Sequence, residues 1–228
     1  MLVTDEQLEN IRGRVASWMV ACDGSHDMAH VERVVATVKE IYSKEKEEMA
    51  VNADLNLLLA IAYLHDTFDR KYCEDTEARA REIVGELTTG PEALSEPTAK
   101  FIIDRIHNMS YSAELKNGIS EEVAVDPYIA IVQDADRLDA IGAIGICRCM
   151  VYSGANGRPI VSEGGEEEMK LRQKYAKKSR SAVAHFYEKL LQLKESMKTR
   201  TGGEMAEERH QFMLQFLDQL FDEVKGVK

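Results

Sequence analysis

The segment from Leu57 to Leu64 constrains the fold of this chain more than any other feature. It reads LLLAIAYL and carries no charged residue, and Asp54 shortly before it can begin a helix. A helix that is apolar on every side must be buried among other helices. We therefore expect this segment to form the central helix of the fold.

The predicted central helix ends in two polar residues, His65 and Asp66. Polar groups at the end of a buried helix are costly unless another group compensates for the lost water. A bound metal ion would compensate, and so would a hydrogen bond between the two side chains. The dipeptide alone favours the hydrogen bond, so further ligands elsewhere in the chain are needed to favour a metal site.

Helical periodicity extends over most of the chain, so the predicted fold class is all-α. The helix that starts at Pro127 is expected to run without a break to Tyr152, and two further helices are expected over residues 181–197 and 204–224. Residues suited to begin a helix recur along the chain at Thr4 or Asp5, Ser25 or Asp27, Asp54, Thr76, Pro97 and Pro127.

The stretch 153–170, SGANGRPIVSEGGEEEMK, differs from the helical segments because it is rich in glycine and acidic residues. This composition predicts a mobile loop, which would either cover a site or form a surface excursion. The sequence contains no internal repeat and no convincing linker. We therefore expect a single domain over residues 1–228.

The net charge of −11 limits the partners of this chain. Binding to a nucleic-acid backbone needs a basic surface, so we expect no nucleic-acid partner. A small anionic substrate remains compatible with this charge, because such a substrate needs only a few local cations or a metal ion.

The sequence also predicts a cytoplasmic protein without membrane association. Its apolar runs are far shorter than the roughly 20 residues that cross a bilayer. The acidic, amphipathic start MLVTDEQLENIRGRV is unlike a signal peptide. The cysteines form no C-x-x-C pair, which indicates ordinary reduced thiols at Cys22, Cys73, Cys147 and Cys149.

Further polar residues could complete a site at the end of the central helix. His26, His30 and Arg33 are spaced at i, i+4 and i+7, so they share one helix face beside an apolar stripe. That pattern fits a site, and it also fits a half-exposed helix face. Asp134 and Asp136 both lie at helical spacing from apolar residues, and periodicity cannot choose between them.

The segments SHDMAHVERV, LHDTFDRKY, DADRLDAIGAIGICR and HFYEKLLQLKESMKT together resemble the HD-domain superfamily of metal-dependent phosphohydrolases. The similarity extends from about residue 20 to the final helix, where ERHQFMLQFL also fits. Within that superfamily, the segments are similar to a small bacterial subgroup of stand-alone HD proteins. Members of the subgroup are known as nucleoside triphosphate pyrophosphohydrolases. For the fold, the resemblance implies a single HD-domain helical bundle.

The resemblance also implies a ligand set for one divalent metal ion. The distant family aspartate immediately precedes the run RLDAIGA, which selects Asp136 over Asp134. Mixed nitrogen and oxygen ligands suit manganese, iron, cobalt or nickel, and magnesium is a further option. Zinc suits this ligand set less well, because it usually takes sulfur-rich or histidine-rich sets. The implied metal ligands are His30, His65, Asp66 and Asp136.

The same resemblance implies catalytic and substrate-binding residues. Asp69 occupies the position at which related HD nucleotidases carry an acidic residue that orients the attacking water. Lys71 matches a subgroup lysine near the site and is a candidate for both catalysis and phosphate binding. The other candidates could instead form salt bridges or support a metal ligand. The candidate substrate-binding residues are His26, Arg33, Lys71, Arg137 and His107.

His107 bears on the number of metal ions. HD phosphodiesterases with two ions use additional histidines between the adjacent histidine and aspartate, here His65 and Asp66, and the final aspartate. His107 is the single histidine of this chain in that interval, so we expect a mononuclear site. His107 either lines the pocket or is an ordinary core or surface histidine.

The leading functional hypothesis is hydrolysis of nucleoside or deoxynucleoside triphosphates to a nucleoside monophosphate and pyrophosphate. One alternative is a phosphatase that acts on nucleoside monophosphates with the same ion. Another is a non-catalytic, regulatory protein that binds nucleotides. The complete ligand set and Asp69 favour an enzyme. The expected partner is therefore a small phosphate ester of the nucleotide class.

Overall fold

The computed structural model describes residues 2–19, 27–49, 53–68, 75–109, 126–162 and 181–227. Within these ranges every regular element is a helix, which confirms the predicted all-α fold class. In chain order the elements are α1 (Asp5–Trp18), α2 (Met28–Met49), α3 (Leu55–Leu64), α4 (Thr76–Leu87), α5 (Glu96–Asn108), α6 (Pro127–Asp139), α7 (Gly142–Ala155), α8 (Ala182–Glu188), a 3₁₀ helix (Leu190–Ser196) and α9 (Arg200–Val224).

Side-chain caps fix the helix starts that the sequence predicted. Thr4 caps α1 reciprocally with Gln7: the Gln7 amide donates to Thr4 Oγ1 at 3.2 Å, and the Thr4 amide donates to Gln7 Oε1 at 3.0 Å. Asp54 Oδ1 accepts from the Leu57 amide at 2.9 Å and so begins α3. Each cap satisfies an amide that has no partner inside its helix. The predicted starts of α4, α5 and α6 are likewise confirmed.

Helix α3 is buried on all sides, as its composition predicted. The side chains from Leu57 to Leu64 are at most 6% exposed, and the helix packs against α1, α2 and α5. Burying one large aliphatic side chain contributes about 1.5–3 kcal/mol. The apolar run therefore holds the surrounding helices together and fixes the position of the two polar residues that follow it.

The prediction of one unbroken helix over residues 127–152 is wrong. Helix α6 ends at Asp139, and α7 begins at Gly142. Gly142 has a φ of +73°, which favours glycine. A Cβ atom on Gly145 would lie 2.2 Å from the Ala140 carbonyl oxygen, so the close turn also requires glycine there. The break between α6 and α7 can form because glycine at both positions leaves room that a side chain would fill.

The C-terminal part departs from the sequence prediction in its boundaries. The helix expected over 181–197 is two elements, α8 and the 3₁₀ helix, and the last helix begins four residues early at Arg200. The expected loop at 153–170 is shorter at its start, because Ser153–Ala155 complete α7. Residues 163–180 lie outside the described residues, so the mobility of the loop stays a prediction.

The chain divides into two compact units, Met1–Ala135 and Asp136–Lys228. The first unit is organised around α3. In the second unit, α8 and α9 each pack against α7 and the 3₁₀ helix, and the buried ring of Phe186 lies 6.0 Å from that of Phe216. The division falls within α6, so Asp136 follows Ala135 on one continuous helix. A single domain over residues 1–228 stays a prediction.

No single helix in the described ranges is long and apolar enough to cross a bilayer, although the bent pair α6 and α7 together has the length and composition. Cys147 is an exposed free thiol and Cys149 a buried one, and burial raises the pKa of Cys149. Cys22 and Cys73 lie outside the described residues.

Candidate metal centre

The His30 side chain lies at the buried start of α2. Asp27 caps this helix, because its Oδ1 accepts from the His30 amide at 2.9 Å. His30 is therefore the third residue of α2, on the same face as the buried Val34 one turn later. Only 1% of His30 is exposed, so the cap and the packing hold its ring inside the first unit.

The ring of His65 is held by the end of α3. His65 directly follows Leu64 and keeps helical backbone angles, with φ −57° and ψ −33°. Its Nδ1 lies 2.7 Å from the Ala62 carbonyl oxygen. Because a carbonyl only accepts, Nδ1 carries the proton in this contact, and the lone pair of a neutral ring is on Nε2. Nε2 is the ligand atom that a metal ion would use.

The ligand atoms of His30, His65 and Asp66 form a small triangle. His30 Nε2 lies 3.3 Å from His65 Nε2, and Asp66 Oδ2 lies 3.4 Å from His30 Nε2 and 3.5 Å from His65 Nε2. The three side chains are 1%, 4% and 14% exposed in that order. The structure therefore brings two imidazole nitrogens and one carboxylate oxygen together at a position that is largely shielded from solvent.

Asp134 and Asp136 both lie on α6, on either side of the division between the two units. Asp134 is fully buried, whereas Asp136 is partly exposed. The choice of Asp136 over Asp134 as a metal ligand stays a prediction.

The donor set fits a divalent cation. Bonds from such ions to imidazole nitrogen or carboxylate oxygen are about 2.0–2.2 Å, so two ligand atoms lie about 2.8–3.6 Å apart for bond angles from octahedral to tetrahedral. The triangle has sides of 3.3–3.5 Å, within that range. A carboxylate in such a buried cluster also needs positive charge nearby whenever it is ionised. The His and Asp cluster could therefore hold a metal ion.

The predicted substrate-binding residues within the described ranges have different surroundings. Arg33 is half-buried on α2, close after His30 in the chain. Arg137 is 4% exposed, and its guanidinium donates to the Ser196 carbonyl oxygen of the 3₁₀ helix, inside the second unit. Arg137 therefore has at least one structural contact, and a role in substrate binding stays a prediction for both arginines.

His107 packs beside the end of α3 without joining the metal cluster. Its ring lies 4.9 Å from that of Phe68, and its Nδ1 lies 4.0 Å from Glu77 Oε1. The side chain is 34% exposed, so a ligand could still reach it. The remaining candidates, His26, Asp69 and Lys71, lie outside the described residues.

The sequence assigned no role to two arginines that contact the end of α6. Arg148 donates to Asp139 Oδ2 at 2.7 Å, and Arg209 donates to the Leu138 carbonyl oxygen at 2.5 Å. The only signals were the similarity to HD proteins of two segments, DADRLDAIGAIGICR, which ends at Arg148, and ERHQF around Arg209. Residue spacing gave no indication that either arginine contacts the end of α6.

The fold matches that of solved HD proteins. A Bacillus thuringiensis HD-superfamily hydrolase superposes with a TM-score of 0.68 at 28% identity, covering 96% of this chain and 97% of its own. A Lactobacillus plantarum protein superposes with a TM-score of 0.77 at 31% identity, covering 99% and 100%. The fold is therefore that of the hydrolases of the HD superfamily, and the His and Asp cluster could hold the metal ion on which such hydrolases depend.

Among curated proteins, Bacillus subtilis YpgQ is 36% identical over 222 residues, which is 97% of this chain and 96% of YpgQ. The crystal structure of YpgQ in complex with ADP superposes with a TM-score of 0.70 at 34% identity, covering 96% of this chain and 95% of YpgQ. No family model matches the chain. Within the HD superfamily, the chain belongs to the family of YpgQ.

Proposed function

We propose that this protein is a metal-dependent hydrolase that cleaves nucleoside or deoxynucleoside triphosphates to a nucleoside monophosphate and pyrophosphate. The observation that carries the proposal is the cluster of His30, His65 and Asp66 at the end of α3. The relative YpgQ has been crystallised with ADP, which supports a nucleotide as the ligand of this family.

The metal ion would be held by His30, His65, Asp66 and Asp136. When bound, such an ion supplies Lewis-acid polarisation of a phosphoryl oxygen and lowers the pKa of a water molecule. The protein's own contribution is rigidity. His30 is fixed by the capped start of α2, and the Ala62 carbonyl selects the tautomer of His65.

The proposed reaction is a single displacement at the α-phosphorus. A water oxygen bonds to that phosphorus, the bond to the bridging oxygen of the β-phosphate breaks, and pyrophosphate leaves with that oxygen. Asp69 would orient the water and accept its proton, and Lys71 would balance negative charge on the phosphate oxygens. Both residues follow His65 and Asp66 closely in the chain.

Hydrolysis in oxygen-18 water tests the proposal directly. Protein loaded with manganese is incubated with a panel of ribonucleotides and deoxyribonucleotides, and the phosphorus products are identified by NMR and mass spectrometry. We expect pyrophosphate as the product and the label in the nucleoside monophosphate. Label in orthophosphate, or stepwise release through the diphosphate, would contradict attack at the α-phosphorus and favour a phosphatase. Absence of turnover across the panel would favour a regulatory nucleotide-binding protein.

A further inference from the structure

The last turn of α6, Asp136–Asp139, carries a candidate metal ligand at its first position. The final carbonyl groups of a helix have no partner inside it, and helix ends fray unless other groups hold them. A ligand in this turn therefore keeps its place only if the turn is held from outside. Arg209, Arg148 and Ser196, which contact this turn, lie in the second compact unit.

Arg209 on α9 contacts this turn through its guanidinium. Its Nη1 donates to the Leu138 carbonyl oxygen at 2.5 Å, and the same oxygen accepts from the Ile141 amide at 3.2 Å. A cation at the C-terminus of a helix also interacts favourably with the helix dipole. Arg209 thus satisfies a terminal carbonyl that lies two residues beyond Asp136.

The aliphatic stem of Arg209 lies against the start of α7. A Cβ atom on Gly142 would come within 2.9 Å of Arg209 Cγ and 3.0 Å of Arg209 Cβ. The stem therefore occupies space that only a glycine leaves open. Burial lowers the pKa of Arg209, and the nearby Asp139 carboxylate opposes that change. One side chain contacts both ends of the α6–α7 break, at the cost of partly burying a charge.

Other arginines hold the same turn. Arg148 Nη1 donates to Asp139 Oδ2 at 2.7 Å, and Asp139 is 4% exposed. Arg137 donates to the Ser196 carbonyl oxygen. By contrast, Arg200 at the start of α9 pairs with Glu204 on the surface, where both side chains are more than half exposed. Surface pairs of that kind contribute little, so Arg200 provides a matched comparison for Arg209.

We infer that Arg209 is a positioning residue for the metal centre, because its hydrogen bond to Leu138 holds the helix turn that presents the Asp136 carboxylate. The inference rests on the proposed metal site. A ligand must be held to within about 0.5 Å of its productive place, and the supporting groups provide that precision. Arg209 touches neither metal nor substrate in this role and acts through the backbone of α6.

Manganese affinity of the full-length protein tests this role. The free ion is measured by electron paramagnetic resonance in titrations of metal-stripped parent, Arg209→Met, Arg209→Lys and the control Arg200→Met. We expect affinity to fall about tenfold in Arg209→Met, the scale seen when a group supporting a ligand is removed. The affinity of Arg209→Lys should lie between those of Arg209→Met and the parent, because the lysine side chain is shorter and its ammonium lacks the planar fork of the guanidinium. Arg200→Met should bind as the parent does.

Thermal melting of the metal-free variants separates positioning from general stability. If Arg209→Met melts at a lower temperature but binds manganese with parental affinity well below that temperature, Arg209 is structural only and the inference is wrong. If Arg209→Met does not fold, Arg209→Lys decides, and parental affinity there refutes the inference. A parent protein that binds no manganese overturns the metal site itself, and this inference with it.

Discussion

Replacing His65 with alanine tests whether the buried cluster binds a metal ion. His65 Nε2 lies 3.3 Å and 3.5 Å from the ligand atoms of His30 and Asp66, so the change removes one corner of the triangle. Loss of a mere supporting group weakens metal affinity by about 10–100-fold, so loss of a ligand should cost at least about a hundredfold. The assay is the shift in melting temperature on adding manganese.

The size of that shift follows from linkage. Manganese at about one hundred times the parental dissociation constant stabilises the folded parent by about 2.7 kcal/mol, which raises Tm by about 5–11 °C for a chain of this size. At the same concentration, a variant with hundredfold weaker binding gains only about 0.4 kcal/mol, or about 1 °C. Comparing the shifts, rather than the Tm values themselves, removes the packing cost of deleting a buried ring.

His185→Ala is the matched control, because His185 is a half-buried histidine of α8 outside the metal-ligand group. This variant should lose some stability and keep the full manganese-induced shift. A parental shift in His65→Ala would refute the assignment of His65 as a ligand. A reduced shift in both variants would mean that the effect is not specific to the cluster.

Three further predictions concern catalysis, pH and the helix break. Asp69→Asn should keep its manganese and lose about a hundredfold or more in turnover, the scale for a general base, and a near-parental rate would make Asp69 a structural acid. Burial lowers the pKa of His185 from 6.5 to about 4, so the unfolded chain takes up the proton first. Stability should therefore fall as pH drops from 6.5 towards 4, and urea midpoints of His185→Gln should fall less over that window. Gly145→Ala places a Cβ 2.2 Å from the Ala140 carbonyl oxygen and should cost roughly 1–3 kcal/mol by urea unfolding. The control Gly154→Ala on the same helix meets no atom within 4 Å, so equal losses would show that general helix effects dominate.

Local chemistry was enough to predict the buried helix and the starts of α1, α3, α4, α5 and α6. Asp54 and Thr4 cap their helices through hydrogen bonds to amides only three residues away, and such contacts can be predicted from neighbouring residues in the sequence. The break at Gly142 could not be predicted in this way, because helical periodicity continues across it. The Arg209 stem against Gly142 comes from a helix that is remote in the sequence, and no local pattern indicates that contact.

The candidate site was predictable to a different degree. Residue spacing indicated a polar cluster at the end of α3, but it left Asp134 and Asp136 equivalent. The resemblance to HD proteins selected Asp136, and the structure brings His30, His65 and Asp66 together. Metal ligation by these residues stays a prediction that the experiments above address. Helix periodicity reports only which face is buried, whereas ligation depends on distances between side chains of different helices.

The hydrogen bond from His65 Nδ1 to the Ala62 carbonyl oxygen has a consequence for the dynamics of the core. The imidazole ties a ligand to the last turn of the most deeply buried helix, so occupancy of the site and fraying of that turn are linked. Amide hydrogens near Leu64 should exchange with deuterated solvent more slowly when the cluster is filled. We therefore expect chelation to loosen an interior helix of the first unit, so isotope exchange along α3 would report the metal content of a preparation.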